Sequence, residues 1–281
     1  MRNILLVSCA AALALPAAAA NRVPDLNGTP NLIVDSKTLQ NHWIVRDEDF
    51  SATACSVIEG NVQPGPHRVL RFTVSTPNVG DADLFIGDPN VHFQNNDGLY
   101  EFATCHNHFH FRHYATYQLI GPDGHVWRAA KRGFCMIDVS PAPTADGAVK
   151  TWAFRNCGRV GIPGNQGISH GWADVYVWQL SGQYFVLDGG DGQAVVPPGT
   201  YTIRITVNPG FEPKPGEPCR AAEAPPSKLC HQLPESNYED NVGEATVVIP
   251  DHPGKSGVGP GANDQAPHDS DIHDDAGEPI D

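Results

Sequence analysis

An all-β domain with little helix, its strands stacked sandwich-like and its long loops clipped by disulfides, is the fold class that three features of the sequence predict. Of 281 residues, 28 are glycine and 25 proline, both costly in helix interiors. Apolar residues show almost no helical periodicity. They fall instead in short runs bounded by turn residues, over 69–76, 109–120, 126–136, 175–180, 184–187, 201–207 and 244–249.

Each run has its own limits. The run 69–76 ends at Pro77, and 109–120 ends at Gly121-Pro122-Asp123-Gly124, a tight-turn sequence from which 126–136 returns. The runs 175–180 and 184–187 are separated by Ser181-Gly182-Gln183, a break short enough for a turn. Val196-Pro197-Pro198-Gly199 precedes the alternating Tyr201, Ile203, Ile205 and Val207, and 244–249 closes against Pro250. No repeat of fixed period occurs, so one β-rich domain over 21–250 is expected.

The flanks read differently. Arg2, an apolar run over 4–15 and the small residues Ala18, Ala19 and Ala20 form a signal-peptide pattern, cut after Ala20, and predict a secreted, periplasmic or extracellular protein. The run before Cys9 is too short for a lipoprotein signal. Nothing later approaches the roughly 20 apolar residues of a membrane span. Residues 251–281 hold eight acids against Lys255 and read as an acidic, disordered tail. The net charge is -14, and the part left after removing tail and signal is still acidic. That excludes nucleic acid or anionic lipid as partners and favours cationic ones. Six cysteines remain in the exported chain, Cys55, Cys105, Cys135, Cys157, Cys219 and Cys230, and they imply three disulfides among 15 connectivities.

The most specific chemistry lies in Cys105-His106-Asn107-His108-Phe109-His110-Phe111. On a strand, His106, His108 and His110 share one face, with Phe109 and Phe111 on the other. Three imidazoles on one face can close on a single ion, copper or zinc, at about 2.0 Å per nitrogen. Arg112, Tyr114, Thr116 and Gln118 extend the histidine face. Folding 126–136 back with Ile120 opposite His125 sets Lys131 opposite Tyr114, an amine looking along a metal-lined face.

These residues, with Phe102-x-x-Cys105, Lys131-x-x-Phe134-Cys135, Gln166-Gly167-Ile168-Ser169, Asp174-Val175-Tyr176, Pro198-Gly199-x-Tyr201, Val207-Asn208-Pro209 and Pro234-Glu235-Ser236-Asn237-Tyr238-x-x-Asn241, resemble the catalytic domain of the lysyl oxidases, in particular bacterial members. The resemblance implies a copper amine oxidase whose cofactor, lysine tyrosylquinone, is made from its own side chains. By motif His106, His108 and His110 match the copper ligands, Lys131 the cofactor lysine and Tyr176 the cofactor tyrosine. Phe102 stands where the family has Trp, and the chain carries extra residues around 141–151. A tyrosine beside copper and dioxygen can be oxidised to a quinone to which a neutral lysine amine adds. A primary-amine or lysine-containing protein substrate then condenses with the quinone and leaves as an aldehyde, with hydrogen peroxide and ammonia released. Asp174, two residues before Tyr176, is the candidate base, or a carboxylate orienting a ligand histidine. The resemblance pairs Cys55 with Cys105 and Cys135 with Cys157, leaving Cys219 and Cys230. Asn31, the carbonyl of Leu32, Glu235, Asn237, Asp240 and Asn241 resemble the family's calcium site, with oxygen donors suited to that ion. The competing reading is a non-catalytic extracellular copper- or zinc-binding interaction domain, which has no need of Lys131 and Tyr176.

Overall fold

The computed structural model describes residues 22–59, 62–142, 151–190, 192–213 and 219–263. The expected signal peptide, most of the extra residues around 141–151 and the end of the expected tail lie outside them. The first half carries α1 (Ser36–Asn41), β1 (Trp43–Phe50), α2 (Cys55–Ile58), β2 (Gly65–Phe72), β3 (Val74–Pro77), β4 (Leu84–Gly87), α3 (Pro89–Asn95), β5 (Tyr100–Ala103), β6 (His108–Phe111), β7 (Ala115–Ile120) and β8 (Val126–Arg128). There follow β9 (Ser140–Pro141), β10 (Gln166–Ile168), β11 (Trp172–Tyr176), β12 (Tyr184–Val186), β13 (Gly199–Val207), β14 (Ala221–Ala222), β15 (Cys230–His231), β16 (Val242–Ile249) and a 3-10 turn at Pro260–Asn263. Strands dominate and the α-helices are short, as the glycine and proline content requires.

The largest sheet runs β16-β13-β7-β8 and is antiparallel throughout. Burial alternates along β13 and β16, so Ile203, Ile205, Val207, Ala245, Val247 and Ile249 face the core while their neighbours face water. The sheet β1-β2-β12 covers that face, where Phe72 meets Tyr117 at 5.3 Å and stacks on Phe185 at 4.9 Å. A third sheet, β3-β11-β9, brings Tyr176 to Phe134 at 5.3 Å. Phe134 also touches Tyr114 at 5.3 Å and Tyr117 at 5.5 Å, so one aromatic cluster joins the large sheet to β11. Burial of each such ring contributes up to about 3 kcal/mol.

All three disulfides form: Cys55–Cys105, Cys135–Cys157 and Cys219–Cys230. They separate their partners by 50, 22 and 11 residues, and restricting such loops in the unfolded chain is worth roughly 3–4 kcal/mol each in the chain-entropy picture.

Four expected runs take other forms. Residues 69–76 serve two sheets: Thr73 leaves the ladder, its N–H donating to the His42 carbonyl at 2.8 Å and its hydroxyl accepting from the Trp178 N–H at 3.1 Å. The run 109–120 divides at 112–114, because β6 pairs with β5 and β7 with β13. Tyr114 consequently sits in the core instead of extending the histidine face. The run 126–136 is a strand only over β8, and Ile120 pairs with Val126, one residue beyond the expected register. The turn is longer by one residue, since the Gly121 N–H donates to the His125 carbonyl at 2.8 Å. Lys131 is therefore outside the ladder and not opposite Tyr114. Finally, the strand expected at 175–180 is β11, and it ends at Tyr176.

Residues 251–263, grouped with the tail by composition, run beside β1. Val258 and Val45 exchange backbone hydrogen bonds of 2.9 and 2.8 Å. Glycine makes this approach possible, because a Cβ on Gly259 would stand 2.5 Å from the Trp43 carbonyl oxygen.

Candidate active site

The segment before β6 is not extended. The Asn107 N–H donates to the Ala103 carbonyl at 2.7 Å, and Asn107 adopts the left-handed region at φ 58, so His106 sits in a turn. The strand alternation that groups the histidines thus holds only for His108 and His110. The turn nevertheless returns His106 to the same place: ring centroids are 5.6 Å apart for His106 and His108, 5.1 Å for His106 and His110, and 4.9 Å for His108 and His110. All three rings are buried. The Nε2 atoms of His108 and His110 approach to 3.1 Å. Two nitrogens bound tetrahedrally to one ion at 2.0 Å would be about 3.3 Å apart. Among the described residues no three His, Cys, Asp or Glu side chains yet stand in an arrangement that holds an ion. The donor chemistry fits copper all the same, since the His106 Nε2 is buried with no hydrogen-bond partner beside two converging imidazoles.

His106 turns its Nδ1 to Glu59, 2.9 Å away at the end of α2. Burial pushes the Glu59 carboxyl up, but its bond to His106 and the charges of His106, His110 and Lys131 outweigh this and hold it below the usual glutamate range. No sequence pattern marks Glu59. Its one signal is proximity to Cys55, whose disulfide to Cys105 ties α2 to the residue preceding His106.

Lys131 lies in the loop after β8, and its Nζ stands 4.7 Å from the Tyr176 ring centroid and 5.7 Å from that of Phe134. A nitrogen bonded to an aromatic carbon sits about 3 Å from the centroid, so a shift of about 2 Å separates contact from bond. Tyr176 is fixed beneath it, its hydroxyl donating to the Cys135 carbonyl at 2.7 Å. The disulfide Cys135–Cys157 and Gln166 brace this region. The Gln166 amide donates to the carbonyls of Phe109 at 2.9 Å and Cys157 at 3.0 Å, and its Oε1 accepts from the Met136 N–H at 3.2 Å.

A cavity of about 340 Å³ opens over these groups, with Glu59, Glu101, His106, His110, Lys131 and Gly133 in its wall. Asp174 is not in that wall. It is fully buried on β11, opposite Thr76, and with burial its charge pushes the Tyr114 hydroxyl pKa up. The carboxylates that face the cavity are Glu59 and Glu101.

The six oxygen-rich positions also come together, from opposite ends of the chain. Glu235 accepts from the backbone N–H of Leu32 and from the side-chain amides of Asn208 at 2.6 Å and Asn241 at 3.0 Å. Asn31 donates to Asp240 at 3.0 Å and accepts from the Asn237 N–H at 3.1 Å. Burial pushes the Glu235 carboxyl up to about 7. The Asp240 Oδ1 and Asn241 Oδ1 are buried without hydrogen-bond partners, which fits a hard cation that would take their lone pairs.

Fold and site together define a disulfide-bonded β domain in which two of three clustered histidines and a lysine line one pocket, with a tyrosine ring packed against that lysine. The profile of the lysyl oxidase family matches residues 30–215, and the chain belongs to that family. Lysyl oxidase homolog 2 from Pongo abelii is 27% identical over 199 residues, covering 65% of this chain and 22% of that protein. Lysyl oxidase homolog 4 from Bos taurus is 28% identical over 201 residues, covering 66% and 23%. The chain thus spans less than a quarter of the length of these relatives.

Proposed function

We propose that the protein is a copper-dependent amine oxidase that converts peptidyl-lysine or other primary amines to aldehydes, with release of hydrogen peroxide and ammonia. The placement of the Lys131 Nζ on the Tyr176 ring carries this reading, because a metal-binding interaction domain has no use for a buried lysine there. His106, His108 and His110 would hold copper, and Lys131 with Tyr176 would form lysine tyrosylquinone. That quinone supplies the carbonyl with which a primary amine condenses and the sink for its electrons. Around it, Glu59 and Glu101 attract and hold the substrate ammonium, and the Tyr176–Cys135 hydrogen bond keeps the ring in one orientation. Asp174, two residues from Tyr176 on the same face of β11, is the proposed base. Export fits the three disulfides, which persist in oxidising compartments. No helix among the described residues is long and apolar enough to cross a membrane. Calcium is proposed at the Glu235 cluster.

Mass spectrometry of copper-loaded, aerated protein is expected to yield a crosslinked peptide joining Lys131 to Tyr176. A digest dominated by unmodified Tyr176 would overturn the enzyme reading.

Gly133 gives an independent check of the metal centre. A Cβ there would stand 2.5 Å from the His110 Nδ1, so Gly133→Ala must push the imidazole aside. Copper affinity measured by chelator competition is expected to fall by roughly tenfold or more, the effect typical of disturbing the groups that orient a ligand. Unchanged affinity would show that His110 is not a ligand.

A further inference from the structure

We infer that Glu59 is the positioning residue of the metal centre, fixing the His106 tautomer so that Nε2 presents its lone pair to the ion. This rests on the copper reading above. An ionised carboxylate only accepts hydrogen bonds, so at 2.9 Å from Glu59 the His106 Nδ1 carries the proton. In a neutral ring Nε2 is then the bare donor nitrogen. Both ring nitrogens are buried, Nδ1 with Glu59 as its ion-pair partner and Nε2 with none. Carboxylate–histidine–metal pairs of this kind hold the ring's orientation and raise its basicity.

The scaffold supports this task. The Glu59 N–H donates to the Cys55 carbonyl at 2.9 Å, and Cys55 is bonded to Cys105, the residue before His106. A short path of one hydrogen bond and one disulfide therefore sets the carboxylate against the imidazole. This is the ligand-orienting role that motif reasoning offers to Asp174. Asp174 lies outside the cavity wall, whereas Glu59 touches a histidine in it.

Two measurements test the assignment on the full chain with its disulfides intact. The first is Cu(II) affinity by chelator competition. Glu59→Ala is expected to weaken binding by about 10–100-fold, and Glu59→Gln, which keeps an acceptor but no charge, by less. The Cu(II) paramagnetic resonance spectrum should change in Glu59→Ala and move back toward wild type in Glu59→Gln. Affinity within about twofold of wild type in a folded Glu59→Ala protein would overturn the proposal, since an orienting partner is worth more than that. The second measurement is nitrogen-15 NMR of metal-free wild type, where His106 should be the tautomer protonated on Nδ1. The opposite tautomer would overturn the proposal even if Glu59→Ala fails to fold. Failure of the wild-type chain to bind copper would instead sink the oxidase reading, and the tautomer would still decide whether Glu59 positions His106.

Discussion

Lys131→Arg is expected to abolish amine-dependent peroxide release, by at least about a thousandfold, while leaving copper binding and the fold close to wild type. The substitution separates two roles for the buried cation. Lys131 could act only by charge, through its contact with the Tyr176 ring at 4.7 Å, and arginine would preserve that contact. It could instead supply the nitrogen that bonds to the ring, and a guanidinium has no free amine to do so. Lys131→Ala should be equally inactive, and neither variant should yield the crosslinked peptide. Substantial peroxide release by Lys131→Arg in a coupled peroxidase assay would show that charge suffices and that no Lys131-derived cofactor is needed.

The pocket is legible in the sequence where its residues are close together or carry a motif, and obscure where packing assembles it. His106, His108 and His110 announce themselves by spacing, although a turn and not a strand brings His106 in. The motifs pair Lys131 with Tyr176, and the two side chains do meet, even though the strand register that aims Lys131 is off by one residue at His125. That error shows how little a hairpin register says about a side chain beyond the end of its strand. Glu59 escapes a reading of the sequence because nothing local marks it; the connection runs through Cys55–Cys105, one of many pairings the cysteines allow. β1 escapes it because charges interrupt its apolar alternation. Its Glu48 pairs with the buried Arg71 at 2.7 Å and its Asp47 approaches Arg68 at 3.7 Å, so ion pairs across the ladder hide the strand pattern. The short helices give no periodic signal, yet their starts follow ordinary capping chemistry. Asp35 accepts from the N–H groups of Lys37 and Thr38, and Asp88 with Pro89 opens α3.

Asp138→Ala is expected to cost about 4 kcal/mol of folding stability, measured by denaturant unfolding, because it strands several buried donors at once. The carboxylate lies at 0% exposure and gathers four donors: the N–H groups of Ala153 at 2.9 Å, Phe154 at 3.0 Å and Ser169 at 2.7 Å, and the Ser169 hydroxyl at 2.6 Å. Alanine would remove the acceptor from all four, and each orphaned buried donor costs about 1–3 kcal/mol unless the loop relaxes to find another partner. The damage reaches the site, because these donors hold the 153–154 segment against the residue that follows β10, and β10 carries Gln166. With that brace loosened, the backbone at Phe109 and Cys157 loses its anchor, so copper affinity should drop together with stability. Asp138→Asn should cost less, since it keeps one acceptor, and its pH dependence carries a distinct sign. Burial raises the Asp138 pKa above 3.8 in the folded chain despite its hydrogen bonds. As pH rises through 3.8 the unfolded chain releases this proton before the folded one, so the wild type loses stability over that window and levels off above the folded value. The amide of the Asp138→Asn variant has no proton to release, so the margin of wild type over that variant should narrow as pH climbs from about 4 toward neutrality. A margin that instead widens with pH would mean that the four donors hold the carboxylate ionised more strongly than burial opposes it.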